Sequence, residues 1–338
     1  MQQRRNLILF VFLTLSVLIL SFLSILLGSV SVPFSDVIYY LLGGNIDSAN
    51  SSIIHFFRVP KVVSAILAGS ALAVSGLQMQ TIFRNPLAGP YVLGISSGAS
   101  LGVAIVLMGA SAFGISFLGG QISVVFAALA GSFLVLLLIL SVSLRVRDIM
   151  TLLILGMMFG AAVSAITSLL QYFGSESSLK NYVIWTMGSL GGVGREKLWL
   201  YSLLVGLGLL LSVIFVRPLN VIAVGEAYAR NLGFNVKRVR FLIFLSTSVL
   251  AGAATAFNGP IAFVGIAVPH VARMLFRTSN HAVLLPGSAL AGAAILLLCD
   301  ILAQLPGSAM VLPLNSIASL MGIPIVIYIV LKNKRIVS

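Results

Sequence analysis

The chain has 338 residues, of which 59% are hydrophobic and 8% charged, with a mean hydropathy of +1.15. Soluble domains carry about a quarter charged residues, so water is excluded as the main solvent. A formal charge of +13 would suit a nucleic-acid binder if it were clustered on a soluble face; here the cations sit in short links between apolar runs, where they orient a membrane protein.

Arg4 and Arg5 precede an apolar run from Leu7 to Leu27, which is longer than a usual signal-peptide core and lacks an A-x-A-like cleavage site. It reads as a retained first helix. Further runs follow at Val62 to Phe83, Tyr91 to Met108, Phe117 to Leu144, Thr151 to Tyr172, Leu198 to Val216 and Phe241 to Phe257. The last three are Ile261 to Val268, Val283 to Leu305 and Leu314 to Leu331, ten in all. Crossing a hydrocarbon core of about 30 Å takes about 20 helical residues, so the eighth run must tilt, re-enter, or continue through Pro269 to Phe276. The expected fold is an all-α integral membrane protein of about ten transmembrane helices, a single transmembrane domain over 1–338.

Ten crossings put both termini on one side. With that side cytoplasmic, fifteen of the 20 basic residues lie inside and five (Arg58, Lys61, Lys180, Arg195, Lys197) outside, as the positive-inside bias requires. The N- and C-termini are therefore expected in the cytoplasm. Glycines at four-residue spacing, Gly94, Gly98 and Gly102 in the third run and Gly156 and Gly160 in the fifth, predict close helix contacts. The longest cytoplasmic link, Arg217 to Arg240, has room for a pair of short helices.

The residues hold little chemistry. A phosphate-binding loop ends in Gly-Lys-Ser/Thr, and no Gly-Lys dipeptide occurs. His55, His270 and His281 are far apart, so no metal site is expected, and Cys299, the sole cysteine, excludes an intrachain disulfide. No catalytic residue is assigned. Asp300 is the one acid well inside an apolar run, and its place near the outer end of the ninth run predicts a solvated or hydrogen-bonded interface acid. Without buried charges to carry an ion gradient, the driving force is expected from a partner.

Several strings together resemble the FecCD family, permeases for iron chelates, haem and vitamin B12 that form ten-helix subunits of type II ABC importers. They include Arg58-Val59-Pro60-Lys61, Phe83-Arg84-Asn85-Pro86-Leu87-Ala88, Trp185-Thr186-Met187-Gly188, Arg217-Pro218-Leu219-Asn220, Gly225-Glu226 with Ala229-Arg230 and Leu232-Gly233, and Gly259-Pro260-Ile261-Ala262-Phe263-Val264-Gly265 leading to Pro269-His270 and Arg273. Any one is weak; in this order and spacing they are specific over nearly the whole length.

The resemblance implies a permease of the inner (plasma) membrane, paired with a second copy or a related permease. Two cytosolic ABC ATPase subunits and a periplasmic or lipid-anchored binding protein complete it. It implies no cofactor on this chain, with ATP and Mg on the ATPase, and no nucleic-acid partner. The segment 217–240 would couple to the ATPase through Gly225, Glu226, Arg230 and Gly233. Arg58 and Lys61 would meet acids of the binding protein, although a lysine lacks the planar fork of arginine. Asn85 and Leu87, with Ile149 and Met150, would form the cytoplasmic gate; at 148–151 the chain departs from the hydroxyl-rich string of some members. Leu118-Gly119-Gly120-Gln121 is similar to an ATPase signature but lacks its serine and reads as a turn. The expected cargo is an iron chelate or haem, with vitamin B12 as the alternative and an ion-coupled secondary carrier as the rival from another class.

Overall fold

The computed structural model describes residues 2–44, 49–109, 121–146, 148–304 and 311–337, with the side chains of 121, 144, 330 and 332–337 outside the description. The turn expected at 118–121 lies outside it, apart from the start of a helix at Gln121. Every regular element among the described residues is helical.

Seven helices are long and apolar enough to cross a membrane: α1 (Gln2–Leu26), α3 (Ala49–Phe83), α5 (Gln121–Arg145), α6 (Ile149–Phe173), α8 (Arg195–Ile214), α11 (Val236–Asn258) and α13 (His281–Ala303). Three further apolar helices, α4 (Ile95–Gly109), α12 (Val264–Phe276) and α14 (Leu314–Val337, with its apolar part Leu314–Ile329), bring the described apolar helices to the ten runs of the sequence. Between them lie α2 (Phe34–Leu41), α7 (Glu176–Thr186), α9 (Val216–Val224) and α10 (Glu226–Asn231). The short eighth run does continue past Pro269, as α12. Its entry is an extended stretch at 259–263 that closes on Phe263, whose φ of 64° is left-handed.

Position in the bundle follows side-chain size. Helix α3 is 83% buried over its most apolar window and packs against α13, α11, α12 and α8, whereas α6 is 11% buried. The reason is backbone proximity. A Cβ at Gly69 would land on the Gly292 carbonyl of α13, and one at Gly76 on the Gly265 carbonyl of α12. On the other side of the bundle Gly98 of α4 and Gly131 of α5 face each other in the same way. In lipid there is no hydrophobic drive between helices, so dispersion at such close crossings carries association. The glycine spacing therefore marks real contacts, and Gly156 and Gly160 of α6 meet the short turn Pro90–Leu93 and Gly94.

Polar side chains satisfy one another where three helices meet. Gln78 of α3 donates to Ser212 of α8 (2.9 Å) and Ser246 of α11 (3.2 Å) and accepts from Thr247 (2.8 Å), all buried. Near the other end of α11, Asn258 accepts from Ser64 (2.6 Å) and donates to Tyr201 (2.8 Å), whose ring stacks on Phe257. Each group would cost several kcal/mol alone in hydrocarbon, so the networks fix which helices are neighbours.

Candidate functional site

The link expected to bind an ATPase is a rigid piece of structure. Val216 to Val224 form α9, Gly225 is extended, Glu226 to Asn231 form α10, and Gly233 (φ 82°) turns the chain into Asn235, which caps α11 by accepting from the Arg238 amide (3.1 Å). Leu219, Ile222 and Ala229 anchor it inward. Val224, Tyr228 and Leu232 point outward, each at least half exposed, which leaves an apolar face of the pair uncovered.

Glu226 ties this unit to the bundle. Its carboxylate accepts from buried Arg240 of α11 (2.5 Å) and, at 3.5 Å, from exposed Arg230 one turn on. The second contact is a surface pair of small worth, while the first ties α10 to a spanning helix. Sequence reading placed Arg240 only among the cytoplasmic cations. The spacing from Glu226 held no signal for the pairing, because α11 begins between them. A second tie runs through α9: Asn220 Oδ1 accepts from the amide and Nδ1 of His281 (2.8 and 2.7 Å), whose Nε2 lies 2.8 Å from Thr81 Oγ1 on α3. Arg84 adds a bond to the Ile222 carbonyl (3.2 Å). A push on α9 and α10 thus reaches the ends of α3, α11 and α13 directly.

The loop after α3 is shaped by Arg84 in the left-handed region (φ 47°) and by Asn85, whose Oδ1 accepts from the Leu87 amide (2.9 Å). Leu87 is exposed and Asn85 half-buried. His270 of α12 donates from Nε2 to the Pro86 carbonyl (2.7 Å), and Arg273 holds Gln80, which bonds the Ile266 carbonyl. Ile149 and Met150 open α6, half-buried and exposed, after Asp148, which caps the helix by accepting from the Thr151 amide (2.8 Å) and hydroxyl (2.7 Å). Those bonds hold the Asp148 carboxyl below the usual range.

At the opposite ends of the helices, Arg58 and Lys61 are hardly presented to solvent. Arg58 is 5% exposed, and its guanidinium donates to the carbonyls of Ile25, Leu26 and Val30, closing the C-terminus of α1. Lys61 pairs with Asp300 (3.2 Å), which also accepts from Ser24 and Gln304 (both 2.8 Å). Asp300 is hydrogen-bonded as the sequence led us to expect, and buried rather than solvated. In this conformation Arg58 and Lys61 join α1, α3 and α13, leaving little of either charge for docking. Arg195, beside His55 (2.9 Å), and Lys180 are exposed cations on this side. Among the described residues no three His, Cys, Asp or Glu side chains gather as metal ligands.

Among the described residues, ten apolar helices carry a partly uncovered helix pair on one face. The model of the FecCD transport family matches residues 16–332, and the chain belongs to that family of ABC importer permeases. It is 37% identical to the vitamin B12 import system permease protein BtuC of Citrobacter koseri over 82% of either chain, and 34% identical to that of Salmonella arizonae over 99% of this chain and 97% of the other. A solved structure described as an inward-facing conformation of a metal-chelate type ABC transporter superposes with a TM-score of 0.82 at 28% identity, covering 97% of this chain and 99% of that one.

Proposed function

We propose that the chain is the inner-membrane permease of a corrinoid importer, moving vitamin B12 by alternating access. The observation that carries this is the near full-length similarity to vitamin B12 permeases at 34–37% identity. It displaces the iron chelate or haem expected from sequence, which rested on how common that use is in the family. A metal chelate remains the second reading, favoured by the solved relative.

Two copies of the chain enclose the path, and one ATPase subunit docks on α9 and α10 of each copy through the exposed Val224, Tyr228 and Leu232 face. ATP and Mg belong to those subunits. Arg5 reaches the Phe276 carbonyl (2.6 Å) at the end of α12, close to His281, so the N-terminus shares a face with the coupling segment. We assign that face to the cytoplasm, because the bulk of the cations lies there. The binding protein delivers cargo on the opposite face, where Arg195 offers a better charge than Arg58 or Lys61.

The test is uptake into proteoliposomes holding the permease with its ATPase and binding protein. ATP-dependent accumulation of labelled cobalamin, unaffected by excess ferric siderophore, is expected. Preference for the siderophore selects the second reading. Uptake by the permease alone under a proton or sodium gradient overturns both in favour of a secondary carrier.

A further inference from the structure

Helix α1 starts beside the coupling segment and carries exposed Ile8, Val11, Leu15 and Leu18 along one face, at the spacing of a single helical stripe. Phe22 is the next position of that stripe, and there the neighbouring side chain is Phe34, the first residue of α2. The two rings meet edge-on with centroids 5.8 Å apart. Since α1 ends at Leu26, α2 sets off about one turn short of the far end of a membrane-spanning helix, beside its uncovered apolar face.

Helix α2 is two-sided. Phe34, Ile38 and Leu41 share one flank at i, i+4 and i+7, and Val37 beside them is fully buried in the bundle. Ser35 and Asp36 lie on the opposite flank. Asp36 accepts from Asn50 (2.8 Å) and Tyr40 Oη lies 2.6 Å from Nδ1 of His55, so two polar ties join α2 to the first turns of α3. Those ties leave Phe34 59% and Leu41 52% exposed, next to the stripe of α1. A water-soluble partner would have to descend alongside α1 into hydrocarbon to cover Phe34. A bilayer is already at that depth, and a short helix with an apolar flank below and polar groups above is the form that lies in its interface.

We propose that α2 is an in-plane anchor seated in the leaflet opposite the coupling segment. Phe34, Ile38 and Leu41 dip about 5–10 Å into the headgroup boundary, while Ser35 and Asp36 face water. Asp36 is the only charged residue of α2, so the attachment is apolar and indifferent to lipid charge. Through Asn50 and His55 the leaflet thereby sets the height of the outer start of α3, the central helix of the bundle.

The test places nitroxide labels on Phe34→Cys, Leu41→Cys and Ser35→Cys in a Cys299→Ala background, with the complete transporter in lipid nanodiscs. Spin relaxation by oxygen, which enters lipid, is compared with relaxation by a water-soluble nickel chelate. Labels at 34 and 41 are expected to respond to oxygen and to be shielded from nickel, at depths of about 5–10 Å, with the reverse at 35. The same depths are expected in phosphatidylglycerol and phosphatidylcholine, with or without the binding protein. Nickel access at 34 and 41 equal to that at 35 would overturn the proposal. So would shielding that appears only with the binding protein, shielding confined to the anionic lipid, or spin–spin broadening that puts a second copy on this face. Should Phe34→Cys fail to assemble, the labels at 41 and 35 decide between them.

Discussion

Asp300→Ala leaves the ammonium of Lys61, 13% exposed, without its carboxylate, and leaves Ser24 and Gln304 without their acceptor. Removing one partner of a buried pair costs about 3–5 kcal/mol, whereas an apolar replacement of both is often neutral. Thermal unfolding in detergent is expected to show a large loss for Asp300→Ala and most of it restored in Lys61→Met with Asp300→Leu; an unchanged midpoint for the single variant would refute the strut. At Asp148 the folded carboxyl is lowered by the Thr151 hydroxyl first and its amide second. The cap is therefore fully present above the unfolded carboxylate value of about 3.9 and is lost as pH falls through the lower folded one. Faster exchange of the Thr151 amide only in that acidic window checks it. The cap at Asp148 is local, since the cap and its helix are adjacent, although from sequence 148–151 read only as part of a gate. The surroundings of Asp300 are not local, since Ser24 is 276 positions away.

Helices α9 and α10 are each tied to a different span, so in the proposed coupling they would move as one. Glu226→Gln replaces a charge-assisted bond to Arg240 by a neutral one and removes the countercharge of a buried guanidinium. A loss of roughly 1.5–3 kcal/mol in that tie is expected, read as ATP-dependent uptake falling at least tenfold while the ATPase still co-purifies. Full uptake in this variant would place coupling elsewhere. That a short helix pair occupies 217–240 could be read from its length and charges. Its attachment through Asn220 and His281 could not, because the two ends of that bond come from links that the sequence separates by three helices.

Across the whole molecule, the ten apolar runs translated into ten helices because hydropathy reports a solvent, and lipid leaves the backbone no alternative to a helix. What a count of apolar runs hides is which helix is central: buried α3 is less apolar than lipid-facing α6, and its glycine and small-residue faces do the packing. Gly76→Val is expected to push α3 and α12 apart, costing about 1–3 kcal/mol as for other overpacked cores, and to cut the yield of assembled transporter on size exclusion. An unaltered yield and midpoint would mean that the crossing is looser than drawn. Sequence marks Arg58 and Lys61 as cations near an outer end without saying that carbonyls and an acid already hold them.

At the crossings of Gly69 with Gly292 and Gly76 with Gly265, no rotamer intervenes between one main chain and the next. Such a joint has no side-chain freedom to lose when it forms and no soft atoms to compress when it is loaded. Force arriving at the base of α3 therefore travels to α12 and α13 undamped, as through gears cut to mesh without backlash. Any amino acid larger than glycine at these points changes the gear spacing before it changes any chemistry.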